Sequence, residues 1–454
     1  MTGKAANGPM IALRGGGCRG AGRIALALVC WGCLWTASRS RADEPSPADP
    51  EFAARLLDGT TVRGRIKQLT PEGALELIEP KSDAKAEAKA DAKAAGARGG
   101  ASRTFELRKV FKLTRVEMPP TTPAEGPIVL FPDGDRLNHT LLEATGETSL
   151  EARSDSSIGN IKIPIDALFA LILTAPAEAE ALDDLVSGLR AEPPRGGESA
   201  LLANGDRVRG GFLALTDKEV KMQADAGALS LERAGVVAVA FDPKLTRYPR
   251  PSGVWLELTM VDGSRLGVRE ARFDEGQIAA TTRFGVAIRV PLVELTRIQV
   301  RSPEVEFLSE RKPDFETYAA YVGPTRGYRR DATVDGKALR LNGQEFDHGL
   351  GTQSRTYLAY RLKPGDVRLQ ATVGVDDRAG PLGNVVFRVL VDGKPRFVSP
   401  PMSSRETPLA VDLDLRGARN IILTTEFGQR GDVRDLGDWA DARLVREPSA
   451  GSGR

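Results

Sequence analysis

Side chains able to do chemistry are sparse in this 454-residue sequence and gather near its C-terminal end. Asp376-Asp377-Arg378 precedes a Gly380-Pro381-Leu382-Gly383 loop, and Gly437-Asp438-Trp439-Ala440-Asp441 follows some sixty residues later. Two carboxylates at a suitable separation suffice for glycoside hydrolysis, and Asp376 with Asp438 is the pair that could in principle serve. The Asp376–Asp377 doublet could instead supply oxygen ligands to calcium, or cap a turn. Other enzyme classes lack their residues. Only His139 and His348 are available as histidines, which disfavours a His-rich metal site or a Ser-His-Asp triad. No phosphate loop with Lys-Ser/Thr and no dinucleotide fingerprint occurs. The expectation is a non-catalytic protein.

The elements that must position these residues begin with an export signal. Lys4, Arg14, Arg19 and Arg23 form a basic leader before the apolar stretch Ile24–Ala37, which is shorter than the ~20 residues of a spanning helix. Ser40-Arg41-Ala42 places small residues where a signal peptidase reads, so residues 1–42 are expected to be removed after Ala42, leaving no membrane span. That segment holds six basic residues and no acidic one, so its loss takes the formal net charge from +2 to −4. A general nucleic-acid footprint goes with it. Cys18, Cys30 and Cys33 also lie there, so the exported chain must rely on packed cores without disulfides. The expected location is the periplasm, cell envelope or exterior.

Four internal repeats follow. Each opens on apolar residues, an acidic or amide residue, then glycine: Leu57-Asp58-Gly59, Pro132-Asp133-Gly134, Ala203-Asn204-Gly205 and Val261-Asp262-Gly263. Asp-Gly and Asn-Gly between alternating apolar runs signal hairpins. Each repeat closes on a second apolar run, 29, 26 and 27 residues beyond the glycine in the last three and 46 in the first. The excess is a low-complexity Ala/Lys/Asp insert at 81–102. The repeats are placed at 51–118, 127–175, 200–242 and 253–301, with a linker at 176–199 carrying a turn or two of helix around Leu182, Leu185 and Leu189. One such meander buries little surface, so closure into a small barrel or docking on a neighbour is expected. Their spacing resembles, at fold level, the Sm-like small β-barrel. An exported, net-acidic chain argues against the RNA binding known for such barrels, leaving structural or protein-binding roles.

Residues 303–446 hold short alternating runs such as Tyr357–Leu362, Arg368–Val373 and Val385–Val391, divided by turns, and 447–454 reads as a disordered tail. The pattern predicts a β-sandwich of jelly-roll type. The fold class is therefore all-β: tandem small barrel or meander repeats, then a C-terminal sandwich. Ordered motifs sharpen this. They include Phe307–Pro313, Tyr328–Asp331, Val334–Gly336, Leu339–Gly343, His348-Gly349-Leu350-Gly351-Thr352-Gln353-Ser354-Arg355, Val373–Asp377, Val391–Lys394 and Gly437–Ala442. With them the segment resembles the NPCBM domain, a carbohydrate-binding module found beside family-98 glycoside hydrolases. The resemblance implies a galactose-binding-like sandwich holding galactose-type glycans or polysaccharide. Gln353 stands where the family's G-[TV]-H-S has histidine. If that histidine is structural, glutamine can replace its hydrogen bonds.

A sugar site needs an aromatic face to stack on a pyranose, with carboxylates and guanidinium groups for its hydroxyls. The residues that could meet it are His348, Gln353, Asp376, Asp377, Arg378, Asp438 and Trp439. Trp439 reads first as core and second as platform, His348 first as a surface polar residue, and Gly349 and Gly351 as backbone necessities. Three functions follow: an exported sugar-binding protein with the repeats as spacer or docking platform; an envelope scaffold binding protein partners without sugar affinity; or an accessory module of a glycoside hydrolase system.

Overall fold

The computed structural model describes residues 49–79, 101–120, 126–138, 140–143, 148–154, 158–319, 326–429 and 431–447. The signal segment 1–42 with its cysteines, His139, nearly all of the 81–102 insert and the tail beyond Glu447 lie outside the described residues. What is described is almost entirely antiparallel β-structure, the expected class.

In each N-terminal unit the first strand pairs with both the second and the last, which places it inside the sheet and bends the meander into a small barrel-like unit. In the first unit Phe52–Leu56 lies between Thr61–Leu69 and Val110–Arg115. Equivalent arrangements are Ile128–Leu130 between Arg136–Leu137 and Ala170–Ile172, Glu198–Leu202 between Arg207–Leu215 and Val236–Ala240, and Trp255–Met260 between Arg265–Asp274 and Leu295–Arg301. The turn glycines Gly59, Gly134, Gly205 and Gly263 sit at φ 91°, 87°, 88° and 77°, a region that costs glycine nothing. Along Thr61–Leu69, Val62, Gly64, Ile66 and Leu69 point inward and their neighbours outward, the period of a half-buried strand.

The units join through their closing strands. Ala170–Ile172 runs antiparallel to Val236–Ala240, coupling the second and third, and residues 297–299 pair with 112–114, coupling the fourth to the first. Between the second and third units the chain forms the helix Ala179–Ala191, longer than the turn or two read from its leucines. Its apolar stripe of Leu182 and Leu189 lies on Ile128, Leu130, Ala170, Ile172 and Ala240. Tertiary cover extends it: the small alanines on the joined strands let the helix approach closely, and burial outweighs its modest intrinsic propensity.

The C-terminal domain is a two-sheet sandwich. One sheet runs Arg329–Arg330, Gly349–Thr352, Gly437–Arg446, Asp366–Val375, Leu409–Asp414, with Val305–Phe307 also paired to Gly437–Arg446. The other runs Phe315–Tyr318, Thr356–Arg361, Asn420–Phe427, Val385–Val391, Lys394–Val398. Leu350, Tyr360, Val373, Phe387, Leu423 and Trp439 fill the space between them. Gly437–Arg446 is buried along nearly its whole length, so its outer face is covered too. The hairpin of Leu339–Leu341 and Gln344–Phe346 packs on Ala440 there. The first barrel covers the rest: Lys112 Nζ donates to Asp441 at 2.8 Å, Gln370 Nε2 to the Leu57 carbonyl at 3.2 Å, and the Arg443 guanidinium lies 3.3 Å from the centre of the Phe111 ring.

Candidate functional site

His348 ends a loop just before the strand Gly349–Thr352, and that position carries it into the contact with the fourth barrel. There it is buried, not a surface polar residue. Its Nε2 lies 3.1 Å from Glu257 Oε2 and 3.0 Å from Arg301 Nη1, and its Nδ1 is 3.5 Å from Asp331. Phe307 closes over the ring at 4.2 Å between centres. Burial alone would lower the imidazole, but Glu257 and Asp331 raise it to about 10, so it carries charge at neutral pH. Glu257, which burial would raise, is pulled down to about 2 by Arg301 and His348. His348 is a charged tie between domains. No sequence periodicity announces it, because its partners lie 91 and 47 residues away.

The acidic doublet serves the backbone. Asp376 Oδ1 accepts from Arg378 N and Nε, both at 3.0 Å, and Oδ2 accepts from Arg340 N at 3.0 Å. Asp377 Oδ1 accepts from Asn342 N at 2.7 Å and Oδ2 from Gly343 N at 2.8 Å, holding the tip of the 339–346 hairpin. All four oxygens thus face N–H donors, and the Arg378 guanidinium sits against Asp376. That set does not fit calcium, whose ligands must turn unshared oxygens toward the ion. Among the described residues no group of three or more His, Cys, Asp or Glu could hold a metal. The turn-capping alternative describes these two residues.

Asp438 and Trp439 alternate across the central strand, as adjacent strand residues must. Trp439 enters the sandwich core, edge-on to Phe387, and its Nε1 donates to Thr425 Oγ1 at 3.1 Å. Its face is not offered to solvent, so it is not a stacking platform in this fold. Asp438 is fully buried on the other side; burial and the neighbouring Asp376 raise it well above the ordinary carboxylate range, keeping it neutral. As a catalytic pair, Asp376 and Asp438 have no access to a substrate. Arg378 is half-buried, its Nη1 3.4 Å from Asp183 of the helix.

Gln353 is different. It leaves the strand Gly349–Thr352 at one end of the sandwich, in a turn where Arg355 takes φ 57°. Gly351 two residues earlier is obligatory: a Cβ there would stand 2.3 Å from the Ala332 carbonyl oxygen. Gln353 is half-buried and its Nε2 has no hydrogen-bond partner. Ser354 Oγ and Asp435 Oδ2, both buried, interact with each other short of full hydrogen-bond geometry, and the hydroxyl works to lower the carboxyl. Asp435 Oδ1 accepts from Asn384 N at 2.8 Å, and Asn384 Oδ1 from Gln429 N at 2.6 Å, so the loops after Val375 and Phe427 are tied into one rim. Burial raises the Asp435 carboxyl to about 6. Asp435 and Asn384 escaped the sequence reading; the signal was the Gly431-Asp432-Val433-Arg434-Asp435 loop before the last strand, rich in polar residues where a simple turn would do.

The model of the NPCBM/NEW2 domain matches residues 308–445, which bears out the resemblance carried by the ordered motifs. A curated protein of Renibacterium salmoninarum named endo-alpha-N-acetylgalactosaminidase is 26% identical over 148 residues, 30% of this chain and 10% of that protein. The chain thus spans about a tenth of the length of that relative. Among solved structures, the CBM51 of Clostridium perfringens GH95 in complex with methyl-galactose is 26% identical over 31% of this chain and 99% of its own, with a TM-score of 0.29. The tandem CBM51 modules of the family 98 glycoside hydrolase Sp3GH98 from Streptococcus pneumoniae are 16% identical over 57% of this chain and 91% of theirs, with a TM-score of 0.28.

Proposed function

We propose that this is an exported, non-catalytic carbohydrate-binding protein that holds a galactose-type glycan at the Gln353 rim of its C-terminal sandwich, with the four barrels as docking platform. The match of the NPCBM/NEW2 model to nearly the whole sandwich carries the reading. The rim supports the placement. Gln353 Nε2 is a donor without a partner, and the Ser354 hydroxyl with the Asp435 carboxyl it interacts with adds donor and acceptor capacity for sugar hydroxyls. The periplasm, envelope or exterior is the location this role requires. Among the described residues no helix is long and apolar enough to cross a membrane.

Calorimetric titration of the full chain with methyl β-galactoside tests it. Binding is expected, and Gln353→Ala should weaken it by about tenfold, the worth of a hydrogen bond between buried groups, without moving the melting temperature. Undiminished binding in that variant would move the site off the rim. Absence of binding to galactosides and to an array of other glycans would favour the second reading, an envelope scaffold. That reading has one observation on its side: His348, Asp376, Asp438 and Trp439 all turn inward.

A further inference from the structure

The helix Ala179–Ala191, the fourth barrel and the sandwich enclose a groove of about 1230 Å³ away from the Gln353 rim. Its walls carry nine basic and five acidic side chains, in a chain whose formal net charge is only +2. Four of the five acidic ones are already paired with cations, and the fifth, Glu316, interacts with the Tyr318 hydroxyl. Asp347 pairs with Arg265 and Arg297, Glu345 with Arg340, Asp183 with Arg340 and Arg378, and Asp331 with His348. Among the described residues Arg136, Arg190, Lys312, Arg329 and Arg330 have no carboxylate within ion-pair distance. Arg136 Nε reaches only the Gly263 carbonyl at 2.9 Å, and Arg330 only the Tyr328 hydroxyl at 3.3 Å. Arg297, although paired, keeps a buried Nε with no acceptor.

The cations converge. Arg190 and Arg265 both approach Gly134, and the positive charges of Arg265 and Arg136 add to burial in lowering Arg190 from its ordinary value. Behind them the groove continues into a polar recess of about 200 Å³, reached by Arg190 and Arg330 and backed by the Arg301–His348–Glu257 network. Like charges held together in a half-enclosed cleft are costly unless an anion joins them. Guanidinium groups bind carboxylate and sulfate through paired N–H donors.

We infer that this groove is a second binding site that takes a polyanionic polysaccharide, its uronate carboxylates or sulfate esters meeting Arg136, Arg190 and Arg330. The choice of polysaccharide among polyanions rests on the sugar-binding reading of the sandwich. Nucleic acid suits the groove less, since Tyr328 is the one half-exposed aromatic ring along it and successive bases need several stacking faces.

Affinity electrophoresis of the full chain through gels holding dextran sulfate, polygalacturonate or neutral dextran tests the inference. The two anionic polymers should retard the protein and dextran should not. Arg136→Gln with Arg190→Gln should weaken retardation about tenfold or more, the loss of two charge-assisted contacts. Removal of the same charge from the exposed strand Lys394–Val398, by Lys394→Gln with Arg396→Gln, should change it little. Equal weakening by both pairs would reduce the effect to net charge and overturn the site. Failure of both anionic polymers to retard the wild type would overturn it outright, and tighter binding of single-stranded DNA than of either would overturn the ligand class. A melting curve checks that the groove pair folds; Arg330→Gln, which breaks no described ion pair, repeats the test if it does not. Gln353→Ala should leave retardation intact, so failure at the rim and failure in the groove are told apart.

Discussion

The docked face of the sandwich and its loop rim bury polar groups on opposite terms. On the face, charge meets charge: Lys112 with Asp441, and His348 with Glu257 and Asp331. At the rim the buried Gln353 Nε2 has no partner, and Ser354 and Asp435 are left with each other. Burying a polar group costs free energy until a partner arrives. On the face the barrels are that partner for these pairs, while Asp438 and the Arg443 Nε stay without one; under the proposed function the partner at the rim is the sugar.

The largest test breaks a tie on the face. Asp441→Ala leaves the Lys112 ammonium buried without its counter-charge, which should cost about 3–5 kcal/mol, read by denaturant unfolding. Lys112 and Arg443 hold the buried Asp441 below its ordinary value, while burial outweighs the attraction of Asp441 and lowers Lys112, so the tie is strained as well as strong. A loss under about 1 kcal/mol would mean that water reaches this contact, and the contrast would fail there.

The next uses pH. With its folded pKa raised from 6.5 to about 10, His348 binds a proton in the native state that the unfolded chain gives up. Its contribution is complete below pH 6.5 and disappears as pH rises toward 10. His348→Gln should flatten the fall of the melting temperature across that window, relative to wild type. Parallel curves would show that the imidazole is not charged in the fold. The smallest effect belongs to the rim. Because Asp435 is raised from 3.8 to about 6, ionising it costs the fold stability as pH climbs from 3.8 through 6. Asp435→Asn should therefore raise stability at pH 8 by about 1 kcal/mol, the roughly 3 kcal/mol of the full shift being reduced by solvent screening at the loop, and change nothing below pH 4. Destabilisation at pH 8 would reveal a partner for the carboxylate and erase the distinction between rim and face.

Local features were legible in the sequence. Asp-Gly and Asn-Gly dictate turns through backbone sterics, so the four hairpins could be placed, and alternation over Val385–Val391 and its neighbours specified strands. The ordered motifs identified the sandwich because they record its turns and core positions together. Trp439 could be weighed toward the core, where it lies, as the single tryptophan of its domain. His348 could not be placed, since Glu257 and Arg301 belong to another domain and meet it only after folding. Asp376 and Asp377 looked like ligands for the same reason they are good caps: a carboxylate has the same two oxygens for a sugar hydroxyl, a cation or a backbone N–H. The groove was invisible, because its arginines are scattered from Arg136 to Arg330 and gather only when the helix and the barrels close round them.

The Lys112–Asp441 tie joins residues 329 positions apart, and the first barrel holding Lys112 shares a sheet with the fourth. A pull on the Gln353 end of the sandwich would travel along the strand Gly437–Arg446 into that sheet instead of straining the short connection at Ser302–Pro303. The barrels would then bear the load, and a sandwich cut free at that connection would keep its shape less well under tension than the same sandwich anchored in the whole chain.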